Sequence, residues 1–268
     1  MLKDITIGQY YPVDSPVHRL DPRFKILLMF IFIISLFFMN SFVAYLLVVV
    51  WLGVVSWASR VPFKMLTGSV KALRWILLFT MLINLFFTPG DPIFQWKFMT
   101  ITDQGLSRTL MMAMRLVLLV MGTSLLTLTT SPIQLTDGIE KLLSPLKKVG
   151  FPAHSMAMMI TIALRFIPTL IEETDKIMKA QMARGADFES GNLMTRAKSL
   201  VPLLVPLFLN AMQRAYELAD AMESRCYRGE GIRTRLNELV MTQKDILLFV
   251  VNTLILVLIA GLRVLPLP

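Results

Sequence analysis

Two short stretches place an arginine between small residues: Ala183-Arg184-Gly185 and Ser224-Arg225-Cys226, with the arginines 41 positions apart. An arginine near a helix C-terminus is favoured by the local dipole. Its planar fork engages a carboxylate through two hydrogen bonds at once. Small neighbours let such a helix tip enter a narrow groove, and two tips suit a partner with two equivalent grooves. A plainer reading is also open, in which each arginine caps its own helix or contacts lipid headgroups. Gly185 and Gly229 are plausible C-terminal caps for the two helices.

Other chemistry is scarce. The single cysteine, Cys226, excludes an internal disulfide framework and a cysteine-based metal cage, and reads as a small spacer. The two histidines, His18 and His154, are too far apart in sequence to suggest a metal site. No P-loop, HExxH or GxSxG occurs, so no enzyme activity and no cofactor are expected in this chain. Met156, Met158 and Met159 cluster among 19 methionines. Their flexible thioethers suit a surface that accepts several partners, or simple packing against lipid or core. Arg115 is the one charge well inside an apolar block, where it lines a pathway, snorkels, or pairs with a loop carboxylate.

These residues sit in a chain that is 55% hydrophobic, with mean hydropathy +0.65 and net charge +9. The apolar residues form long blocks and the basic residues lie between them, the pattern of an all-α integral membrane protein. Phe24–Ala58 would be about 52 Å long as one helix, against a hydrocarbon core of about 30 Å. Asn40-Ser41 offers a turn, giving two short spans, Lys25–Met39 and Phe42–Ala58. Further spans are expected at Val70–Phe87, Leu110–Thr130 and Ile246–Leu262, five in all. Asp21-Pro22 reads as N-cap and first-turn proline of the first span. No signal peptide is visible, so that span is expected to act as its own insertion signal.

The N-terminal arm holds four basic residues, the flank after the second span four, and Ser131–Lys244 holds 15 of the 27. Placing all three on the cytoplasmic side requires an internal N-terminus and five spans, which agrees with the span count. The net charge therefore has a topological cause and does not call for nucleic acid. Ser131–Lys244 is too long to be a structureless loop. It reads as three helices: Pro132–Lys148, Ala153–Arg184 with Pro168 inside, and Leu193–Arg228 with Pro202 and Pro206 inside. Ile167, Leu170, Ile171, Met178 and Met182 mark an apolar stripe on the second, with Glu172, Glu173, Lys176 and Lys179 off it. The expected division is 1–130 for the arm and four spans, 131–244 for the cytoplasmic helices, and 245–268 for the last span.

Four stretches occur in order along the chain: His18-Arg19-Leu20-Asp21-Pro22-Arg23-Phe24-Lys25; Leu164-Arg165-Phe166-Ile167-Pro168 with Glu172-Glu173; Ala183-Arg184-Gly185; and Ser224-Arg225-Cys226-Tyr227-Arg228-Gly229. Together with four spans before the cytoplasmic segment and one after, they resemble the transmembrane T component, EcfT, of energy-coupling factor importers. The resemblance covers nearly the whole chain. It implies a non-catalytic subunit of a bacterial cell membrane complex, whose two long cytoplasmic helices act as coupling helices. Two partner ATPase subunits would bind ATP and magnesium and receive the tips at Arg184 and Arg225. One or several substrate-capturing S components would complete the assembly, with Met156, Met158 and Met159 as a possible surface for them. The implied activity is ATP-driven vitamin uptake. The alternatives are a T subunit dedicated to cobalt or nickel import and, from another class, an autonomous secondary transporter. The absence of Asp and Glu from the spans weighs against the last.

Overall fold

The computed structural model describes residues 10–89, 92–96, 99–188, 192–227, 229 and 241–262. The described elements are helices α1 (Pro16–Arg19), α2 (Pro22–Phe38), α3 (Phe42–Ser59), α4 (Phe63–Ala72), α5 (Arg74–Phe87), α6 (Asp103–Thr129), α7 (Pro132–Leu143), α8 (Ala153–Ala183), α9 (Leu193–Ser224) and α10 (Gln243–Gly261). A short antiparallel hairpin, β1 (Pro92–Trp96) and β2 (Met99–Thr102), lies between α5 and α6, and a 3-10 turn, Ser144–Val149, follows α7. The molecule is otherwise all-α. By length and composition α3, α6, α8 and α10 each suffice to cross a membrane, and the bent pair α4–α5 makes a possible fifth span; this set takes in α8, expected in the cytoplasmic segment, and leaves out the shorter α2, expected to span.

Local chemistry accounts for where the helices begin. The Asp21 side chain accepts from the Arg23 amide at 2.8 Å and Pro22 opens α2, the expected cap and first-turn proline. α2 and α3 flank Asn40-Ser41 as expected, and α2, at 17 residues, is near the shortest length that spans a bilayer. α6 starts at Asp103, ahead of the expected Leu110, because Thr102 accepts from the Gly105 amide and forms the N-cap. α10 starts at Gln243, ahead of Ile246, because Thr242 and Asp245 close a capping box.

Other expected boundaries are corrected. The span expected at Val70–Phe87 is broken at Leu73, where α4 and α5 meet at 60°. Leu73 leaves helical geometry (φ −94°, ψ 6°), and Lys64, Lys71 and Arg74 lie before or at the break. The helix expected to run to Lys148 stops at Leu143. The 3-10 turn then ends at Gly150, whose φ of +86° only glycine adopts without strain. The helix expected to reach Arg228 ends at Ser224; Arg228 and the C-terminal tail beyond 262 lie outside the described residues.

The described residues form two compact units, one of 10–139 with 241–262, the other of 140–229. The first has a core of Phe32, Leu36, Tyr45, Val48, Leu66, Leu118 and Leu256. α2 and α6 approach closely at Gly122, where an added Cβ would overlap the Phe32 ring. On the other side Phe32 stacks on Trp51 of α3, with centroids 5.6 Å apart. Phe30, Phe37, Val50, Trp57, Leu254 and Leu258 are exposed on the outer faces of α2, α3 and α10. Helices apolar on every face are suited to lipid rather than water. The second unit is built on α8 and α9.

Candidate docking site at two helix ends

The two arginine motifs end their helices with the same backbone geometry. At the end of α8 the Gly185 amide donates to the Met182 carbonyl at 2.9 Å and the Ala186 amide to the Gln181 carbonyl at 3.0 Å. At the end of α9 the Cys226 amide donates to the Glu223 carbonyl at 2.8 Å and the Tyr227 amide to the Met222 carbonyl at 2.9 Å. Both are Schellman endings, with the left-handed residue one position after the arginine. Gly185 has φ +87° and Cys226 φ +59°. The cap of the second motif is therefore Cys226 and not Gly229, which also has positive φ but lies three residues further on.

The backbone satisfies these helix ends without the arginine side chains. Ala183, Arg184 and Gly185 are exposed, as are Ser224, Arg225 and Cys226. Among the described residues neither guanidinium has a hydrogen-bond or ion-pair partner. The Ser224 hydroxyl bonds back to the Ala221 carbonyl at 3.0 Å and stays out of the arginine's way. Each tip thus presents a free five-donor fork beside small residues, ready for a carboxylate.

α8 and α9 cross through polar contacts that were not apparent in the sequence. Glu173, expected off the apolar stripe, accepts from Asn210 Nδ2 at 3.0 Å and pairs with Arg214 at 3.4 Å. Gln181 Nε2 reaches the Pro202 carbonyl at 3.4 Å. Pro206 has no amide proton, so its presence four residues later deprives that carbonyl of its helical partner. The pattern of prolines four apart could have suggested an acceptor here. As the α8 number rises from 173 to 181, the α9 number falls from 210 to 202. The helices run in opposite directions through the contact, and their tips leave it at opposite ends. From Glu173 to Arg184 is about 16 Å of helix, and from Asn210 to Arg225 about 22 Å.

The methionine cluster divides. Met156 and Met159 are exposed on one face of α8, whereas Met158 is half-buried on another. His154 Nδ1 meets Glu140 at 3.0 Å near the start of α8.

The remaining singled-out residues are structural. Arg115 donates to the Tyr45 hydroxyl at 2.9 Å and to the Met39 carbonyl at 3.0 Å, so it caps the end of α2. Among the described residues it pairs with no carboxylate. His18 Nε2 donates to the Tyr11 carbonyl at 3.0 Å, which leaves Nδ1 to accept from the Ser15 hydroxyl at 2.7 Å. Burial pushes the His18 pKa below its ordinary value. Arg19 pairs with Asp14 at the surface. Lys25, buried, donates to the carbonyls of His18 and Thr129 at 3.1 and 3.0 Å, and so sits at the negative end of α6.

Residues 14–236 match the family described as "Cobalt transport protein" (CbiQ). The chain is 55% identical over 261 residues to the Clostridium kluyveri protein named "Energy-coupling factor transporter transmembrane protein EcfT", covering 97% of this chain and 96% of that one. It is 52% identical to a protein of the same name from Acidaminococcus fermentans, over 98% of each chain. Against one from Bacillus subtilis it is 49% identical, over 91% of this chain and 93% of that one.

Proposed function

This chain belongs to the cobalt transport protein family and, within it, to the energy-coupling factor transmembrane proteins, and from that premise we propose that it joins two ATPase subunits to a substrate-capturing S component. Arg184 and Arg225 seat in acidic grooves of the two ATPases, with Ala183, Gly185, Ser224 and Cys226 as their close-fitting neighbours. ATP and magnesium belong to those partners. The observation that carries this reading is the shared geometry of the tips: two helix endings of the same Schellman type, each leaving its arginine without a partner among the described residues.

ATP binding would draw the grooves together, and α8 and α9 would carry that movement as levers. Glu173, Asn210 and Arg214 would hold the crossing while the tips move. The exposed face of Met156 and Met159 supports an adaptable surface for S components, with vitamins as the cargo. The distribution of basic residues supports a cytoplasmic N-terminus and a cytoplasmic position for the segment 131–244. Membership of the cobalt transport protein family keeps a second reading in view, a subunit dedicated to one metal ion. An adjacent gene for a metal-capturing membrane protein would favour it.

Arg184→Ala and Arg225→Ala should each weaken ATPase capture by about 2–5 kcal/mol, the cost of leaving a buried carboxylate without its charged partner. Arg→Lys should rescue poorly, because the bidentate fork is lost. Co-purification of the two ATPases with each variant measures this. Undiminished capture by the double Arg→Ala variant rejects the docking role.

A further inference from the structure

A cavity of about 280 Å³ opens within the first unit, between α1, α2, α3, α6 and α10. Its long axis can be followed on the helices that line it. Along α2 it extends from Lys25 to Phe32, and along α6 from Thr129 to Gly122; on α3, which runs the other way, it extends from Ala58 to Trp51. Each stretch is eight residues long, seven steps and roughly 10 Å of helix from first to last. One end is therefore marked by Lys25 and Thr129, beneath the α1 helix. The other is closed by the stacked rings of Phe32 and Trp51. Among the described residues, the lining is apolar apart from Lys25, Thr129, Asn252 and the indole N–H of Trp51.

Asn252 is occupied: its Oδ1 accepts from Trp51 Nε1 at 3.0 Å and its Nδ2 donates to the Leu248 carbonyl at 2.7 Å. Lys25 differs. It is 6% exposed, and an ammonium has three protons to donate. Two go to the His18 and Thr129 carbonyls, and among the described residues no further acceptor lies in contact. Asp21 and Asp245 act on it only through space. A buried cation without an anion in contact costs free energy until one arrives.

We propose that this cavity holds an acyl chain of an anionic phospholipid from the surrounding bilayer, its phosphate against Lys25 Nζ and its tail running toward Phe32 and Trp51. The polarity gradient is that of such a lipid: one buried cation, then about 10 Å of hydrocarbon surface. The volume is near the lower end for small-molecule pockets, about 300–1,000 Å³, and admits part of one chain rather than a whole lipid. The site does not depend on the docking role of the arginine tips.

The test uses the full chain purified in mild detergent, with dioleoyl phosphatidylglycerol and dioleoyl phosphatidylcholine added separately. About 0.5 M salt shortens the screening length below its value of about 8 Å at physiological strength, which suppresses loose binding to the basic surface. Retained lipid per chain after gel filtration and the shift in unfolding temperature are the readouts. Phosphatidylglycerol should be retained about tenfold better, as expected for one charge-assisted contact. Lys25→Gln should bring the two lipids level, whereas Lys64→Gln, on the exposed surface of α4, should leave the preference intact. Ala58→Phe narrows the cavity from the α3 wall while keeping the lysine, and should lower retention of phosphatidylglycerol. Equal retention of the two lipids by the unaltered chain overturns the proposal. If Lys25→Gln fails to fold, Ala58→Phe decides: a folded Ala58→Phe protein with undiminished retention of phosphatidylglycerol overturns it equally.

Discussion

A residue's backbone can matter as much as its side chain, and Cys226 is the clearest case here. It holds a left-handed conformation that costs an ordinary L-residue about 1–2 kcal/mol. Gly185 takes the equivalent place on α8 with no such cost. Cys226→Gly should therefore steady the end of α9 by about 1 kcal/mol, and Gly185→Ala should loosen the end of α8 by a similar amount. Hydrogen exchange at the Tyr227 and Ala186 amides would report each change; identical exchange in both variants would show that the turns carry no strain. His18 supplies a pH dependence. Its folded pKa lies below the ordinary value of about 6.5 because burial disfavours the imidazolium. The unfolded arm therefore takes up the proton first as pH falls. The arm's stability is complete above about pH 6.5 and declines below it, toward the folded pKa. Protection of the Tyr11 amide, bonded to the Leu128 carbonyl at 2.9 Å, should fall between pH 7.5 and 5.5. His18→Gln should flatten that response.

Elements are joined by buried polar contacts at their ends. Arg115 of α6 and Tyr45 of α3 converge on the Met39 carbonyl just past α2, tying three helices together where they turn. Lys25 does the same at the other end of α2, linking it to α1 and to the last carbonyls of α6. Arg115→Leu should lower stability by about 1.5–3 kcal/mol, the worth of hydrogen bonds from a charged donor. Denaturant unfolding in detergent checks this. Arg115→Leu combined with Tyr45→Phe should cost more than either alone, because the Met39 carbonyl then loses both side-chain donors; no loss in either variant would show the contact to be idle.

At the scale of the whole molecule, the chain carries its own reporter. Cys226 is the sole cysteine and is exposed beside Arg225. In sealed inside-out vesicles a membrane-impermeant maleimide should label it, and in right-side-out vesicles it should not. Binding of the ATPases should slow labelling by about tenfold or more, since a docked tip loses its access to solvent. Labelling from the outer face would reverse the orientation drawn from the basic residues. Rapid labelling in the presence of the ATPases would leave the tip at Arg225 undocked.

Composition and periodicity alone determined the all-α membrane class, because stretches of apolar residues near bilayer length have few other stable uses. They also located α2, α3, α8 and the start of α9, since prolines, small polar links and caps act over neighbouring residues. The starts of α6 and α10 are equally local, written in Thr102 and in Thr242 with Asp245. The pairing of the two arginine tips was legible as a repeated residue pattern, but their common Schellman geometry was not, because a cysteine rarely marks a left-handed turn. What only the tertiary structure decided is which distant groups meet. Lys25 finds the end of α6, Arg115 the end of α2, and Glu173 the helix that crosses it. Each is a side chain satisfying a backbone or a charge far along the chain. Such partners are chosen by helix packing in three dimensions, which no local sequence signal records.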